Sequence, residues 1–466
     1  MAQPLRPPCE AESGPSSTGQ CPEKHRIFVL VAAILGSSMV FIDGSALSVA
    51  IPALRADLDA SAADLNWIFN AYTLLLAALT LIGGAAADRY GAKRVFLAGV
   101  AGFALASLAC ALADSTGTLI AARATQGFFG ALMTPASLAM IAAAYPKEER
   151  GAAIGTWAGA SALTTAGGPV LGGWLVEAFS WQAIFYINLP LGALALLAGL
   201  RADLKTAPDT DSALDYAGAA LAALALGTLT FALVAFGEGA ADPLEAVIAL
   251  AAGLALLAAF LWREHTAKAP MLPLQIFRSP VFAGVNLATL ALYAALSIAF
   301  FALPIYLADD RGWGATQIGL AFLPFTLGVG MLSRLFGNYA EAWGLRRTMA
   351  GGIIFAAIAF ALFSAGIEGA LGVYLPMAIA GLGFALIIPP LTTTALSAAP
   401  DDLSGLASGV NNAAARTASM IGVALGAAFL AAGTAWTIVF ATAAAFCALA
   451  AAIVVMSLRS RSASPA

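Results

Sequence analysis

Long apolar stretches recur along this chain from Ile27 to Leu458, and short polar segments separate them. A helix of about 20 apolar residues spans the ~30 Å hydrocarbon core of a membrane. We therefore predict an all-α integral membrane fold with 14 transmembrane helices. The predicted helices cover 27–53, 65–86, 95–113, 117–143, 152–178, 182–201, 214–236, 244–262, 281–308, 316–336, 349–366, 372–397, 405–430 and 434–458.

The composition agrees with this pattern. Hydrophobic residues make up 61% of the 466 residues and charged residues only 10%, whereas about a quarter of a soluble domain is charged. The first 26 residues are polar and rich in Pro, Ser and Gly, which is typical of a disordered tail. This composition excludes a soluble enzyme built around one buried core.

The basic residues orient the predicted helices. If both termini are cytoplasmic, 18 of the 22 Lys and Arg residues fall in the tails and in cytoplasmic connections. Arg55 and Arg311 fall on the other side, and Arg123 and Arg416 fall inside helices. Cytoplasmic connections are enriched in Lys and Arg. We therefore expect a multi-pass protein of the cell (inner or plasma) membrane with both termini in the cytoplasm.

Two segments of the chain resemble each other at a fixed spacing. GAAADRYGAKR at 84–94 matches GNYAEAWGLRR at 337–347 at an offset of 253 residues, and Gly127 matches Gly381 at an offset of 254. Glycines permit tight turns, and basic residues favour the anionic cytoplasmic surface. We interpret both segments as conformational switch loops. Their candidate residues are Gly84, Asp88, Arg89, Gly91, Lys93 and Arg94 in the first loop and Gly337, Glu341, Gly344, Arg346 and Arg347 in the second.

The repeat predicts two pseudo-symmetric six-helix bundles with two helices inserted between them. Transporters are commonly built from such repeats, with the substrate site between the halves. The expected segments are a disordered cytoplasmic tail over 1–26, an N-terminal bundle over 27–201, a linker with two extra helices over 202–280, a C-terminal bundle over 281–458 and a short cytoplasmic tail over 459–466.

Asp43 is the one carboxylate that falls well inside a predicted helix. A charge at that depth costs about 2.5–3.5 kcal/mol on insertion scales, and intramembrane charges usually pair. Arg123 falls at a similar depth in the outer half of the membrane. Burial and a nearby guanidinium act in opposite directions on the protonation of a carboxylate. Asp43 could therefore bind a proton from one side and release it to the other; the alternative is a fixed ion pair that joins two helices.

The segment GGPVLGG at 167–173 places small residues around a proline. Proline bends a helix, and small residues allow neighbouring helices to approach closely. A bent and tightly packed helix between the bundles would prevent leakage while they move. The residues in question are Gly167, Gly168, Pro169, Gly172 and Gly173.

Several other residues are candidates for lining a substrate cavity, because apolar pockets with a few polar groups suit varied amphipathic ligands. They are Trp67, Asn70, Tyr72, Gln126, Met133, Trp157, Tyr293 and Arg416. Helix packing or lipid contact is the alternative for the aromatic residues and the methionine. Arg416 could bind an anionic group, line a wet cavity or cap carbonyls of a neighbouring helix. One intramembrane acid and two arginines favour neutral, zwitterionic or monocationic substrates over dications.

These motifs together resemble one family. GAAADRYGAKR resembles the loop after the second helix of the major facilitator superfamily, and LIAARATQGFFGA at 119–131 resembles its fourth-helix arginine motif. GGPVLGG resembles the fifth-helix motif of its antiporters. FIDGSALSVAIP at 41–52, WIFNAYTLLLAA at 67–78, SWQAIFYINLPLG at 180–192 and the segment 405–426 are similar to the 14-helix drug:proton antiporters. The resemblance implies proton-coupled multidrug export by alternating access, with Asp43 exchanging protons and Arg123 as its partner.

Two other functions stay open at this point. A proton-coupled importer of a specific nutrient would use the same scaffold. A membrane enzyme such as a prenyl transferase would need an aspartate-rich metal site, but the pairs Asp309–Asp310 and Asp401–Asp402 are predicted on opposite faces. We expect no enzyme activity, no metal, no cofactor besides the proton gradient and no nucleic acid. The expected partners are an amphipathic substrate, protons and the lipid bilayer, and the expected state is a monomer.

Overall fold

The computed structural model describes residues 23–204, 215–238, 243–267, 270, 272, 274–398 and 404–458. The first half comprises α1 (Glu23–Ala46), a 3-10 turn (Leu47–Ala50), α2 (Ile51–Asp57), α3 (Ala62–Tyr90), α4 (Ala92–Ala111), α5 (Thr116–Ala144), α6 (Lys147–Ala178), α7 (Ala183–Tyr186) and α8 (Asn188–Arg201). Two extra helices follow, α9 (Tyr216–Glu238) and α10 (Pro243–Thr266). The second half comprises a 3-10 turn (Leu274–Arg278), α11 (Pro280–Asp309), α12 (Ala315–Ala321), α13 (Leu323–Trp343), α14 (Leu345–Ser364), α15 (Leu371–Ser397), α16 (Ser404–Ala431) and α17 (Trp436–Ser457).

Every predicted span coincides with one helix or with consecutive helices. Thirteen of the described helical segments are long and apolar enough to cross a membrane. The remaining predicted span, 152–178, is α6, a helix of 32 residues that packs against α1 and α12. Its residues 151–168 consist mostly of Gly, Ala, Ser and Thr, which are less apolar than Leu or Ile. The predicted all-α integral membrane fold is therefore confirmed.

The two halves repeat the same helix packing. Gly127 on α5 lies directly against the backbone of Tyr72 on α3, and Gly381 on α15 lies against the backbone of Phe325 on α13. The two glycines are 254 residues apart and their two partners are 253 residues apart, which are the offsets of the sequence repeat. Close approach of this kind needs a residue without a side chain, because a Cβ atom would overlap the neighbouring backbone. The residues that recur in the sequence thus make equivalent helix–helix contacts in the two halves.

The two predicted switch loops also share their geometry. Gly91 joins α3 to α4 with φ +92°, and Gly344 joins α13 to α14 with φ +88°. This left-handed region is costly for residues with a Cβ atom, so a glycine permits the two helices to follow each other without a longer loop. The side chains of residues 337–342, which include Glu341, lie outside the described part of the structure.

The helix bundle has two ends, a terminal face and an opposite face. The terminal face holds the start of α1 and the end of α17, and the opposite face holds the connections after α2, α4, α6 and α11. Between the faces, α9 packs against α3 of the first half and α16 of the second half, and α10 packs against α9. The extra pair therefore covers one of the two seams at which the halves meet.

Candidate transport site

Asp43 and Arg123 form an ion pair in the interior of the first half. Arg123 Nη1 donates to Asp43 Oδ2, and the two side chains are 1% and 0% exposed. Asp43 lies near the end of α1 and Arg123 lies two turns into α5, so both are in the part of the bundle nearer the opposite face. The structure thus brings together the two charges that the sequence placed at similar depth.

The other oxygen of the carboxylate is also fully engaged. Gln126 Nε2 donates to Asp43 Oδ1 at 2.8 Å, and Asn188 Nδ2 donates to the same oxygen at 3.2 Å. Both amides also reach Ser107 Oγ, at 2.9 Å and 3.3 Å. Four helices of the first half, α1, α4, α5 and α8, therefore meet around one acidic group, and its negative charge is stabilised by three donors.

Arg123 keeps further partners of its own. Its Nε donates to the carbonyl oxygen of Ile68 at 3.1 Å, and its Nη1 donates to Gln126 Oε1 at 2.6 Å. The guanidinium lies over the ring of Tyr72, 4.2 Å from the ring centre. These contacts stabilise the arginine even when the charge of Asp43 changes, because cation–π and carbonyl contacts do not depend on it.

Local sequence explains how Asn188 reaches the site. Pro190 in the first turn of α8 has no N–H to donate to the carbonyl of Tyr186, so the helix is interrupted between α7 and α8. Asn188 is the first residue after the break, and its side chain is fully buried beside Asp43. The sequence analysis did not single out Asn188 or Ser107; an amide two residues before a proline inside a predicted span was the available signal.

The halves are tightly joined at the opposite face. Arg55 Nη1 contacts Asp309 Oδ2 at 3.0 Å, and Thr316 N–H donates to Glu177 Oε2 at 2.8 Å. Below these pairs, Gly173 lies against the Ala315 carbonyl. All three contacts cross from the first half to the second half and close the opposite face.

The GGPVLGG segment forms part of this closure. Gly168 and Gly172 lie against Ser45 and Ala46 at the end of α1, and the Pro169 carbonyl lies 2.5 Å from the place of a Cβ on Gly319 of α12. The segment is thus held between two helices of different halves. A side chain at Gly167 would meet nothing within 4 Å.

The terminal half of the same helix is open. A Cβ atom at Gly155 or Gly159 on α6, or at Gly330 on α13, would have no neighbour within 4 Å. Leu163 on α6 and Met331 on α13 are 73% and 72% exposed. Among the side chains that the structure describes, the contacts of α6 with α12 lie towards the opposite face, at Pro169, Gly173 and Glu177.

The predicted cavity residues fall into separate groups. Gln126 and Tyr72 belong to the buried Asp43 cluster, and Met133 is fully buried against Gly36 and Gly99 in the helix packing. Asn70 is buried and donates to the Met420 carbonyl of the second half at 3.2 Å.

The remaining candidates keep accessible surface. Trp67, Trp157, Tyr293 and Arg416 are half-buried, and the Trp157 Nε1–H donates to Ser37 Oγ at 2.9 Å. Arg416 lies within electrostatic range of Tyr72 and Tyr293. These residues come from both halves and are the ones that a substrate between the halves could touch.

The first switch loop is anchored to a neighbouring helix end. Lys93 Nζ donates to the carbonyls of Leu200 and Ala202 at the end of α8, where a cation is favourable. The Arg89 guanidinium lies 5.8 Å from the ring centre of Tyr90. In the described part of the chain, no group of three or more His, Cys, Asp or Glu residues could hold a metal ion.

Comparisons with known proteins agree on one family. The Major Facilitator Superfamily profile matches residues 33–284 and 285–466. The tetracenomycin C resistance and export protein of Streptomyces glaucescens is 33% identical over 395 residues, covering 83% of this chain and 72% of that protein. The multidrug resistance protein Stp of Mycobacterium tuberculosis is 31% identical over 399 residues, covering 85% and 74%. A crystal structure of the peptide transporter POT in complex with sulfate has a TM-score of 0.70 over 95% of each chain at 17% identity, a likeness of fold alone.

Proposed function

Because this chain belongs to the Major Facilitator Superfamily and is a multi-pass membrane transporter rather than an enzyme, we propose that it exports amphipathic small molecules in exchange for protons. The relatives named for drug resistance and export support the outward direction. The observation that supports proton coupling is the cluster around Asp43. In this cluster one buried carboxylate has partners that suit both its ionised and its protonated state.

The ionised state of Asp43 is stabilised by Arg123, Gln126 and Asn188. The protonated state needs an acceptor for its new O–H group. Asn188 Oδ1 is buried and has no hydrogen-bond partner among the described residues, so rotation of that amide would supply the acceptor. Arg123 would keep Ile68, Gln126 and the Tyr72 ring. Neither state therefore leaves a buried charge without a partner, which is the requirement for a reversible proton site.

Alternating access connects this site to the two sides of the membrane. The present arrangement is closed at the opposite face, and the Lys and Arg distribution predicts the terminal face to be cytoplasmic. We expect substrate to enter between the halves from that side. Separation of Arg55 from Asp309 and of Glu177 from Thr316 would then open the opposite face, where Asp43 would take up a proton that is released after the return.

The test is dye efflux from pump-deficient cells that express wild type, Asp43→Asn or Asp59→Asn. A panel of anionic, neutral and cationic fluorescent dyes is loaded, and efflux is followed with and without an uncoupler. We expect uncoupler-sensitive efflux in wild type and its loss in Asp43→Asn at equal expression. Asp59 is exposed in the connection after α2, so Asp59→Asn makes the same chemical change as a control and should keep efflux.

Two outcomes would contradict the proposal. Uncoupler-sensitive efflux by Asp43→Asn would show that the Asp43–Arg123 pair only joins α1 to α5. Energy-dependent accumulation in place of efflux would identify an importer on the same scaffold.

A further inference from the structure

The second intramembrane arginine differs from the first in having no anionic partner among the residues that the structure describes. Arg123 contacts a carboxylate and is 1% exposed, whereas Arg416 on α16 is half-buried. Within the part of the chain that the structure describes, no carboxylate lies within the 4.0 Å of an ion pair from Arg416. The carboxylate of Asp43 has its own partners, because its two oxygens accept from Arg123, Gln126 and Asn188.

Two phenols lie near Arg416. Tyr72 on α3 and Tyr293 on α11 lie within electrostatic range of its guanidinium, and neither carries a charge at neutral pH. The hydroxyl of Tyr72 donates to the Val40 carbonyl at 3.1 Å. Arg416 thus lies near neutral aromatic groups of both halves.

The helix that carries Arg416 is fixed on both sides of it. Asn411 Nδ2 donates to Thr289 Oγ1 at 2.9 Å and to Asn286 Oδ1 at 3.3 Å on α11. One and a half turns after the arginine, Gly422 lies against Ala294 of the same helix. These contacts hold α16 against α11, so the position of the guanidinium is set before any ligand binds.

A lone guanidinium in the low-dielectric interior is destabilising until an anion or water neutralises or hydrates it. Its planar fork of N–H donors matches a carboxylate or another flat oxyanion. We propose that Arg416 is the recognition site for an anionic group of the transported substrate, a carboxylate or phenolate on an aromatic or apolar body that stacks on Tyr293. This inference rests on the proposed function, because it assigns the substrate class of that exporter.

The membrane potential favours the export of a substrate with this negative charge. In the predicted orientation the compartment at the terminal face is electrically negative, and an anion that leaves it moves down the membrane potential. Asp43 does not repel this anion directly, because the Arg123 guanidinium and the Tyr72 ring lie around its carboxylate. The proton site and the anion site can therefore work in one molecule without opposing each other.

The experiment compares two dyes with the same three-ring frame and opposite charge, fluorescein as the anion and rhodamine 6G as the cation. Binding to the full chain in lipid nanodiscs is measured by equilibrium dialysis, with empty nanodiscs as the blank. The variants are Arg416→Gln, Arg416→Lys and Arg201→Gln, of which the last removes an exposed charge at the terminal face as a control.

We expect Arg416→Gln to weaken fluorescein binding by about tenfold to a hundredfold, the range for a lost charged hydrogen bond. Rhodamine 6G should change by less than about twofold, Arg416→Lys should be intermediate, and Arg201→Gln should match wild type. Equal losses for both dyes, unchanged fluorescein binding in Arg416→Gln, or no fluorescein binding by wild type would overturn the assignment.

Equilibrium binding needs no proton gradient, so this result is separate from the efflux test. If Arg416 discriminates the two dyes in nanodiscs but cells show no uncoupler-sensitive efflux, the proton-coupled exporter fails and the anion site stands. If efflux occurs with the same dye preference in wild type and Arg416→Gln, the anion site fails and the exporter stands.

Discussion

The two halves of this molecule share their helix packing but not their polar interior. Gly127 and Gly381 make equivalent close contacts, and Gly91 and Gly344 make equivalent turns. The position that corresponds to Arg123 is occupied by Met377, which is 1% exposed in an apolar core. The part of α11 that corresponds to Asp43, residues 295–297, contains Ala, Leu and Ser.

This difference separates what the fold requires from what the chemistry requires. Helices α3 and α5 approach each other through a glycine, as α13 and α15 do, yet among the described side chains only the first pair holds a buried ion-paired charge. Buried ion pairs seldom stabilise a protein more than well-packed apolar groups do. The second half demonstrates that an apolar core suffices for this packing, so the charges in the first half are best explained by function.

The largest expected effect comes from making the first half resemble the second. Arg123→Met leaves Asp43 as a buried charge without its cationic partner, which costs about 3–5 kcal/mol. We expect a clear loss of stability in SDS-titrated mixed micelles and a complete loss of coupled efflux. The double variant with Asp43→Asn carries no charge at this site and should regain most of the stability while efflux stays absent.

This double variant is the decisive member of the set. A structural ion pair predicts that removing both charges leaves transport intact once stability is restored. If the stable double variant exports dye in an uncoupler-sensitive manner, the comparison between the halves loses its functional meaning.

The reverse change, which introduces a buried charge into the second half, should destabilise the protein nearly as much. Met377→Arg places a guanidinium in an apolar cluster that includes Ile353 and Phe360, at a cost of about 3 kcal/mol on insertion scales. Met377→Leu keeps the volume and should cost less than about 1.5 kcal/mol. The yield of monodisperse protein by size-exclusion chromatography measures both. Adding Ala295→Asp to Met377→Arg should recover part of the loss, and no recovery would mean that these positions do not correspond to Asp43 and Arg123.

The fold could be predicted from the sequence because each transmembrane helix is marked by residues of its own segment. Each span is recognisable from its own apolar run, and glycines that recur at a fixed offset mark the contacts of both halves. The Asp43–Arg123 pair was predictable for a similar reason, since intramembrane charges are few and have few partners.

The rest of the site depends on side-chain directions that an apolar pattern does not contain. Gln126 and Tyr72, which the sequence predicts in a substrate cavity, contact Asp43 and Arg123, respectively. Asn188 and Ser107 are ordinary polar residues in their own helices, and only the tertiary packing lets Asn188 and Gln126 both donate to Ser107. The structure is needed to tell a half-buried residue between the halves, such as Arg416, from a fully buried one.

A smaller effect is expected where the halves touch each other. Gly173→Ala would place a methyl group against the Ala315 carbonyl, and overpacking of this kind costs about 1–3 kcal/mol. The closed opposite face should therefore open more often. Spin labels at Asp59→Cys and Asp310→Cys, in a background without the native cysteines, would report this as a longer distance population.

The matched control for this prediction lies on the same helix. Gly159→Ala adds the same methyl group where nothing lies within 4 Å, and it should leave the distance distribution unchanged. Equal distributions for Gly173→Ala and wild type would mean that the GGPVLGG segment does not hold the opposite face closed.

The smallest effect should come from the Arg55–Asp309 pair. Both side chains are about half exposed, 48% and 49%, and exposed ion pairs contribute about 0.2–1 kcal/mol. Arg55→Gln should therefore shift the same spin-label distances in the direction of Gly173→Ala but by less. Because exposed charges are screened by salt, raising the ionic strength should move wild type towards Arg55→Gln and leave Gly173→Ala unaffected. A salt-independent shift in wild type would mean that packing at the glycine, and not the ion pair, governs how often the opposite face opens.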